Sequence, residues 1–88
     1  MRVRFRSSFA RDLKRIRDRA VLATLKQVIE NLEAADTLGD MAGLRKMTGS
    51  RNHYRIRVGD YRVGLVVQDG IVECVRCLHR REIYQRFP

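Results

Sequence analysis

Eighty-eight residues give room for one domain, 1–88, around one modest core, and 44% hydrophobic residues suit a folded chain rather than a disordered one. Nineteen Lys and Arg against ten Asp and Glu leave a formal charge of +9, which selects partners such as nucleic acid, an acidic protein or an anionic membrane surface. No apolar run approaches a membrane span, and Met1-Arg2-Val3-Arg4-Phe5-Arg6 lacks the apolar stretch of a signal peptide, so a cytoplasmic protein without membrane contact is expected.

Lysine occurs only at Lys14, Lys26 and Lys46; every other basic residue is arginine. Arginine grips phosphate bidentately and stacks on bases, whereas lysine is a point charge, so the bias favours phosphate recognition. Residues 1–20 carry eight basic and two acidic side chains, residues 21–40 one and four, and residues 41–88 ten and four. Two basic regions are thus separated by an acidic one.

Along the chain, Val3–Phe5 alternates as a short strand. Ser7 or Ser8 offers a helix N-cap, and Phe9, Leu13 and Ile16 fall on one helical face. A second apolar stripe follows at Leu22, Leu25, Val28, Ile29 and Leu32. The stripe shifts phase near Ala20 and Asp18 suits a cap, which predicts a helical hairpin ending by Leu38-Gly39. From Leu44 the period changes to two. Tyr54, Ile56 and Val58 alternate with His53, Arg55 and Arg57, and Gly59-Asp60 makes a turn. Tyr61, Val63, Leu65 and Val67 then alternate with Arg62, Gly64, Val66 and Gln68. Asp69-Gly70 makes a type I′ turn, and a third strand runs from Ile71 to about Leu78.

Cys74 and Cys77 look like a C-x-x-C pair, but they fall inside that third strand. An odd separation there sends the thiols to opposite faces, and a second ligand pair is missing. Two buried structural cysteines and no metal are expected.

The pattern predicts an α+β architecture, with an N-terminal short strand and a helical hairpin packed on one face of an antiparallel β-meander. Tyr54, Ile56, Val58, Tyr61, Val63 and Leu65 turn to the helices. The opposite face presents Arg55, Arg57 and Arg62 to solvent, with space beside them at Gly64.

The run Arg51-Asn52-His53-Tyr54-Arg55-Ile56-Arg57-Val58-Gly59-Asp60-Tyr61-Arg62 resembles the central hairpin of RelE/ParE-family toxins. The tail His79-Arg80-Arg81-Glu82-Ile83-Tyr84 resembles that family's C-terminal motif, and the order of elements matches over essentially the whole chain. The resemblance implies a RelE-like microbial RNase fold and a toxin of a type II toxin–antitoxin system, held inactive by a cognate antitoxin. In the RelE-like branch it implies cleavage of mRNA on the ribosome, carried here by Arg55, Arg57, Arg62, Arg80 and Tyr84. ParE-like members inhibit DNA gyrase instead, which is the alternative. This chain has arginine where the best-known members have lysine on the hairpin, so the general base stays open.

RNA is cleaved without a metal or other cofactor when the 2′-OH attacks its own phosphate. Such a site needs a base, charge stabilisation for the phosphorane and an acid for the leaving oxygen. Arg57 and Arg62 are assigned the charge stabilisation, a role in which losing one donor costs about 3–4 kcal/mol. Arg55 and Arg80 grip neighbouring phosphates, and Arg51, Arg81 and Lys46 extend the basic surface. Arginine stays protonated, so proton transfer falls to His53, His79, Tyr54, Tyr84 or a carboxylate. His79 is the choice for its pKa range and its place in the tail motif. Tyr84 stacks on a base, donates a proton or anchors the tail. The basic N-terminal block suits ribosomal RNA, the antitoxin or plain solvation, and an antitoxin helix lying in a groove is the expected mode.

Overall fold

The computed structural model describes residues 1–39 and 41–88. Its elements are β1 (Arg2–Phe5), α1 (Ser7–Arg15), α2 (Arg19–Ala34), β2 (Leu44–Lys46), β3 (His53–Val58), β4 (Tyr61–Gln68), β5 (Ile71–His79) and α3 (Ile83–Arg86). They form one five-stranded sheet in the order β1-β5-β4-β3-β2. The meander β3-β4-β5 is antiparallel as expected, and Asp69 and Gly70 both take the left-handed backbone (φ 53° and 75°) that its second turn requires. Two strand pairings go beyond the sequence reading. β1 lies parallel to β5, and β2 adds an antiparallel edge beside β3.

The helical hairpin forms because Ile16 leaves the helix in an extended conformation and Asp18 starts the next one. Asp18 Oδ1 accepts hydrogen bonds from the backbone N–H of Ala20 (2.9 Å) and Val21 (3.3 Å). The first cap differs from expectation. Arg6 occupies the N-cap position without a side-chain bond, while the Ser8 hydroxyl donates to the Val75 carbonyl at 2.6 Å. Helix α2 stops at Ala34, before Leu38-Gly39, since Ala35 is already extended.

Phe9, Ile16, Leu25 and Leu32 from the helical half bury against Ile56, Val58, Val63, Leu65, Val72, Cys74 and Cys77 of the sheet. A second, smaller cluster of Met47, Val75, Leu78, Ile83 and Phe87 forms on the other face, where α3 and the C-terminal residues fold back. That face is therefore not open, which corrects the sequence reading. The space at Gly64 is occupied by the Phe87 ring: a Cβ at Gly64 would lie 2.8 Å from Phe87 Cγ and Cδ2.

A β-bulge in β5 explains the cysteines. Leu65 pairs with Cys74 while Gly64 pairs with Arg76, leaving Val75 without a partner. The extra residue shifts the phase, so Cys74 and Cys77 share the helix-facing side rather than opposite ones. Both thiols are free and buried as expected, and burial is the main reason each pKa rises to about 12.

Helix α1 also completes the edge of β5 beyond the reach of β1. The buried carboxylate of Asp12 accepts from Arg76 Nε (2.8 Å), Arg76 Nη2 (3.1 Å) and the Cys77 backbone N–H (2.9 Å). This pairing draws Arg76 away from the other arginines and fixes the bulge to the helix.

Candidate functional site

The site is built on the β3–β4 hairpin. Alternation puts Arg55 and Arg57 on the face away from the helical hairpin, and antiparallel register sets Arg57 opposite Arg62 and Arg55 opposite Gly64. On the neighbouring edge strand, Arg45 stands opposite Arg55. Side chains directly opposite in an antiparallel pair share a face, so Arg45 joins the group. The sequence reading missed Arg45, because a three-residue strand carries too little alternation to declare itself.

The tail brings the remaining members. The Arg80 backbone N–H donates to the Asp60 carbonyl at 2.8 Å, which ties the turn after β5 to the tip of the β3–β4 hairpin. Tyr84 is 60% exposed on α3, and the Arg55 guanidinium carbon lies 5.1 Å from its ring centroid, a cation–π distance. Arg62 Nη1 donates to the carbonyls of Gly59 (2.8 Å) and Tyr61 (2.9 Å), so the side chain is tethered to its own turn. Partial burial, then the nearby charges of Arg57 and Arg55, hold the Arg62 guanidinium below its ordinary pKa, with Arg80 adding to the effect and Tyr84 opposing it. Arg55, Arg57, Arg62, Arg80 and Tyr84 are therefore brought together.

Lys46 lies at the border of the same group, lining a groove with Thr48, Arg55, Tyr84, Phe87 and Pro88. Arg51 and Arg81 are exposed, in the bend before β3 and the turn after β5. His79 is placed apart. It pairs in register with Tyr61 and packs edge-on against that ring, centroids 5.7 Å apart, in a recess lined by Asp12, Arg15, Ile16 and Glu82. That recess opens on the helix-facing side of the sheet, whereas Leu78, opposite Arg62, belongs to the tail-facing cluster. His79 consequently does not meet the arginines, and its Nδ1 accepts the Arg81 backbone N–H at 3.2 Å. His53, one of the candidates for proton transfer, is half-buried on the arginine side. Its ring contacts Ser50 Oγ and stands edge-on to Phe87, 5.3 Å between centroids.

Among the described residues, the ion pairs are Arg6–Glu73, Arg76–Asp12 and Arg86–Glu82. None neutralises Arg45, Arg55, Arg57, Arg62 or Arg80. A fixed face of unpaired guanidiniums flanked by an exposed aromatic ring is chemically suited to a phosphodiester and its bases. Among the same residues, no three His, Cys, Asp or Glu side chains converge as metal ligands.

Comparison with known proteins identifies the family and the fold. The family described as "ParE toxin of type II toxin-antitoxin system, parDE" matches residues 3–84. Toxin RelE3 of Methanocaldococcus jannaschii is 37% identical over 89 residues, covering all of both chains. The fold matches the crystal structure of the RelB–RelE antitoxin–toxin complex from Methanococcus jannaschii with a TM-score of 0.83 and 34% identity, over 97% of this chain and 99% of that one. It matches the archaeal RelE–RelB complex from Pyrococcus horikoshii with a TM-score of 0.72 over 90% and 93% of the two chains, and at 23% identity this likeness speaks for the fold alone.

Proposed function

The chain belongs to the RelE/ParE family of type II toxin–antitoxin toxins, and from that premise we propose that it is a metal-independent endoribonuclease that cuts mRNA, in association with the ribosome, and so blocks translation. The observation that carries this reading is the gathering of Arg55, Arg57, Arg62, Arg80 and Tyr84 about the β3–β4 hairpin, with none of the four arginines in an ion pair among the described residues.

Cleavage proceeds by attack of the 2′-oxygen on the adjacent phosphorus, with departure of the 5′-oxygen, leaving a 2′,3′-cyclic phosphate and a 5′-hydroxyl. Arg57 and Arg62 face the phosphorane and stabilise its added charge. Arg45, Arg55, Arg80 and Lys46 hold the flanking phosphates, and Arg51 and Arg81 add diffuse attraction from the rim. Tyr84 supplies the proton-bearing hydroxyl that stands among the guanidiniums, and its exposed ring stacks on a base. His79 is given no part in the cleavage step, because its ring packs against Tyr61 in the recess beside α1.

A cognate antitoxin is the expected protein partner, since the relatives from M. jannaschii and P. horikoshii were solved as RelB–RelE complexes. No helix among the described residues is long and apolar enough to cross a membrane. The competing reading, a ParE-like gyrase inhibitor, is favoured by the name of the matching family. Primer extension on total mRNA after brief induction separates the two. New 5′ ends within translated regions, absent in Arg62→Ala, support the ribonuclease; growth arrest with intact mRNA and DNA breaks supports gyrase.

A further inference from the structure

The contact between Gly64 and Phe87 has a role that packing alone does not exhaust. Phe87 is 3% exposed, and three of its ring carbons lie 2.8–2.9 Å from where a Gly64 Cβ would stand. Space, rather than a left-handed backbone, thus requires glycine at position 64. One turn earlier Ile83 is fully buried, and the Phe87 N–H donates to the Ile83 carbonyl at 2.8 Å. Between these two anchors sits the exposed Tyr84, over Arg55, and Arg55 is itself the register partner of Gly64. The seat of the tail and the guanidinium beneath Tyr84 therefore belong to one cross-strand pair.

We propose that Phe87, seated in the notch at Gly64, is a positioning residue that holds Tyr84 over the arginine face during RNA cleavage; this rests on the ribonuclease reading above. A short helix of four residues has little stability of its own, so its placement depends on its buried contacts. Emptying or filling the notch releases Tyr84 while leaving the arginines on β3 and β4 in place. Chemistry then suffers more than RNA binding, which loses only the stacking of one base on the Tyr84 ring.

The test uses the full chain with ribosomes and a defined mRNA, comparing wild type, Tyr84→Ala, Phe87→Ala, Phe87→Leu, Gly64→Ala and the double variant Gly64→Ala/Phe87→Ala. Expected for Phe87→Ala and for Gly64→Ala is a fall in kcat of about 100-fold, the order that small misplacements of catalytic groups produce. KM rises by about ten-fold or less, the order that loss of one stacked base produces, and Phe87→Leu recovers part of the rate. The double variant is no slower than Phe87→Ala, because the ring that Gly64→Ala displaces is already gone. Nuclear magnetic resonance shifts of the Tyr84 ring protons move away from their wild-type values in both single variants. Unchanged kcat per folded molecule, or unmoved Tyr84 shifts, overturns the proposal. A wild-type chain that cleaves no RNA overturns the ribonuclease reading and the catalytic part of this one, while the ring shifts independently decide whether Phe87 sets the position of Tyr84.

Discussion

Arg57 of β3 and Arg62 of β4 are direct cross-strand partners on one face of the sheet, and neither is paired with a carboxylate among the described residues. Like charges placed opposite one another oppose folding, so this arrangement lowers stability. Arg57→Gln removes one charge without touching the bonds from Arg62 to Gly59 and Tyr61. It should leave stability equal or higher by up to about 1 kcal/mol in urea denaturation. The same variant should slow mRNA cleavage by about 100- to 1,000-fold. A gain or no change in stability together with that loss of rate marks the pair as functional; a loss of stability marks it as structural.

His79 and Tyr84 should separate cleanly. His79→Ala is expected to cleave within about three-fold of wild type, because the imidazole lies with Tyr61 on the helix-facing side. Tyr84→Phe, which keeps the ring and removes the hydroxyl, should lose about 100-fold or more in rate if that hydroxyl transfers a proton. Single-turnover rates on one mRNA read both, and the reverse order would return the acid–base role to the histidine.

Asp12 holds Arg76 and the Cys77 N–H together inside the fold. Asp12→Ala leaves a donor and a charge unpaired, at a cost of about 3 kcal/mol. For a domain of this size that is a large share of total stability. Asp12→Asn, which keeps an acceptor, should cost less. Guanidinium denaturation of the two variants gives the ranking, and equal stability of all three chains would contradict the assigned role.

Burial raises the Cys74 and Cys77 thiols from an ordinary value of 9.0 to about 12. The unfolded chain loses these protons at lower pH than the folded one. Their stabilising contribution is therefore complete below about pH 9 and declines as pH rises toward about 12. Native protein at pH 8 should not react with a thiol-specific disulfide reagent, whereas both cysteines should react in denaturant. Reaction of either cysteine at full rate in the native state would refute their burial.

Much of the fold was legible because β3, β4 and β5 are long enough for alternation and their turns carry Gly59-Asp60 and Asp69-Gly70. The hairpin of helices was legible from Asp18 and the phase shift. What escaped was set by contacts far apart in sequence. The bulge at Val75 depends on Asp12 and Ser8 of α1, so alternation along β5 misplaced Cys74 relative to Cys77. Arg45 was overlooked because its strand owes its existence to β3, and Gly64 looked like free space because its occupant lies 23 positions later. Five of the candidate residues do assemble. His79 was drawn in by its neighbours in the tail motif, although adjacent residues at a strand end point to opposite faces.

The proposed activity is metal-independent transesterification of RNA at the arginine face. Its most direct test is to incubate the purified chain with programmed ribosomes, or with the mRNA alone, and to identify the new ends chemically. The RNA-only reaction is run in excess EDTA. A 2′,3′-cyclic phosphate on the upstream fragment and a 5′-hydroxyl on the downstream one, both lost in Arg62→Ala, are the predicted result. A 5′-phosphate end, or cleavage undiminished in Arg62→Ala, would contradict it.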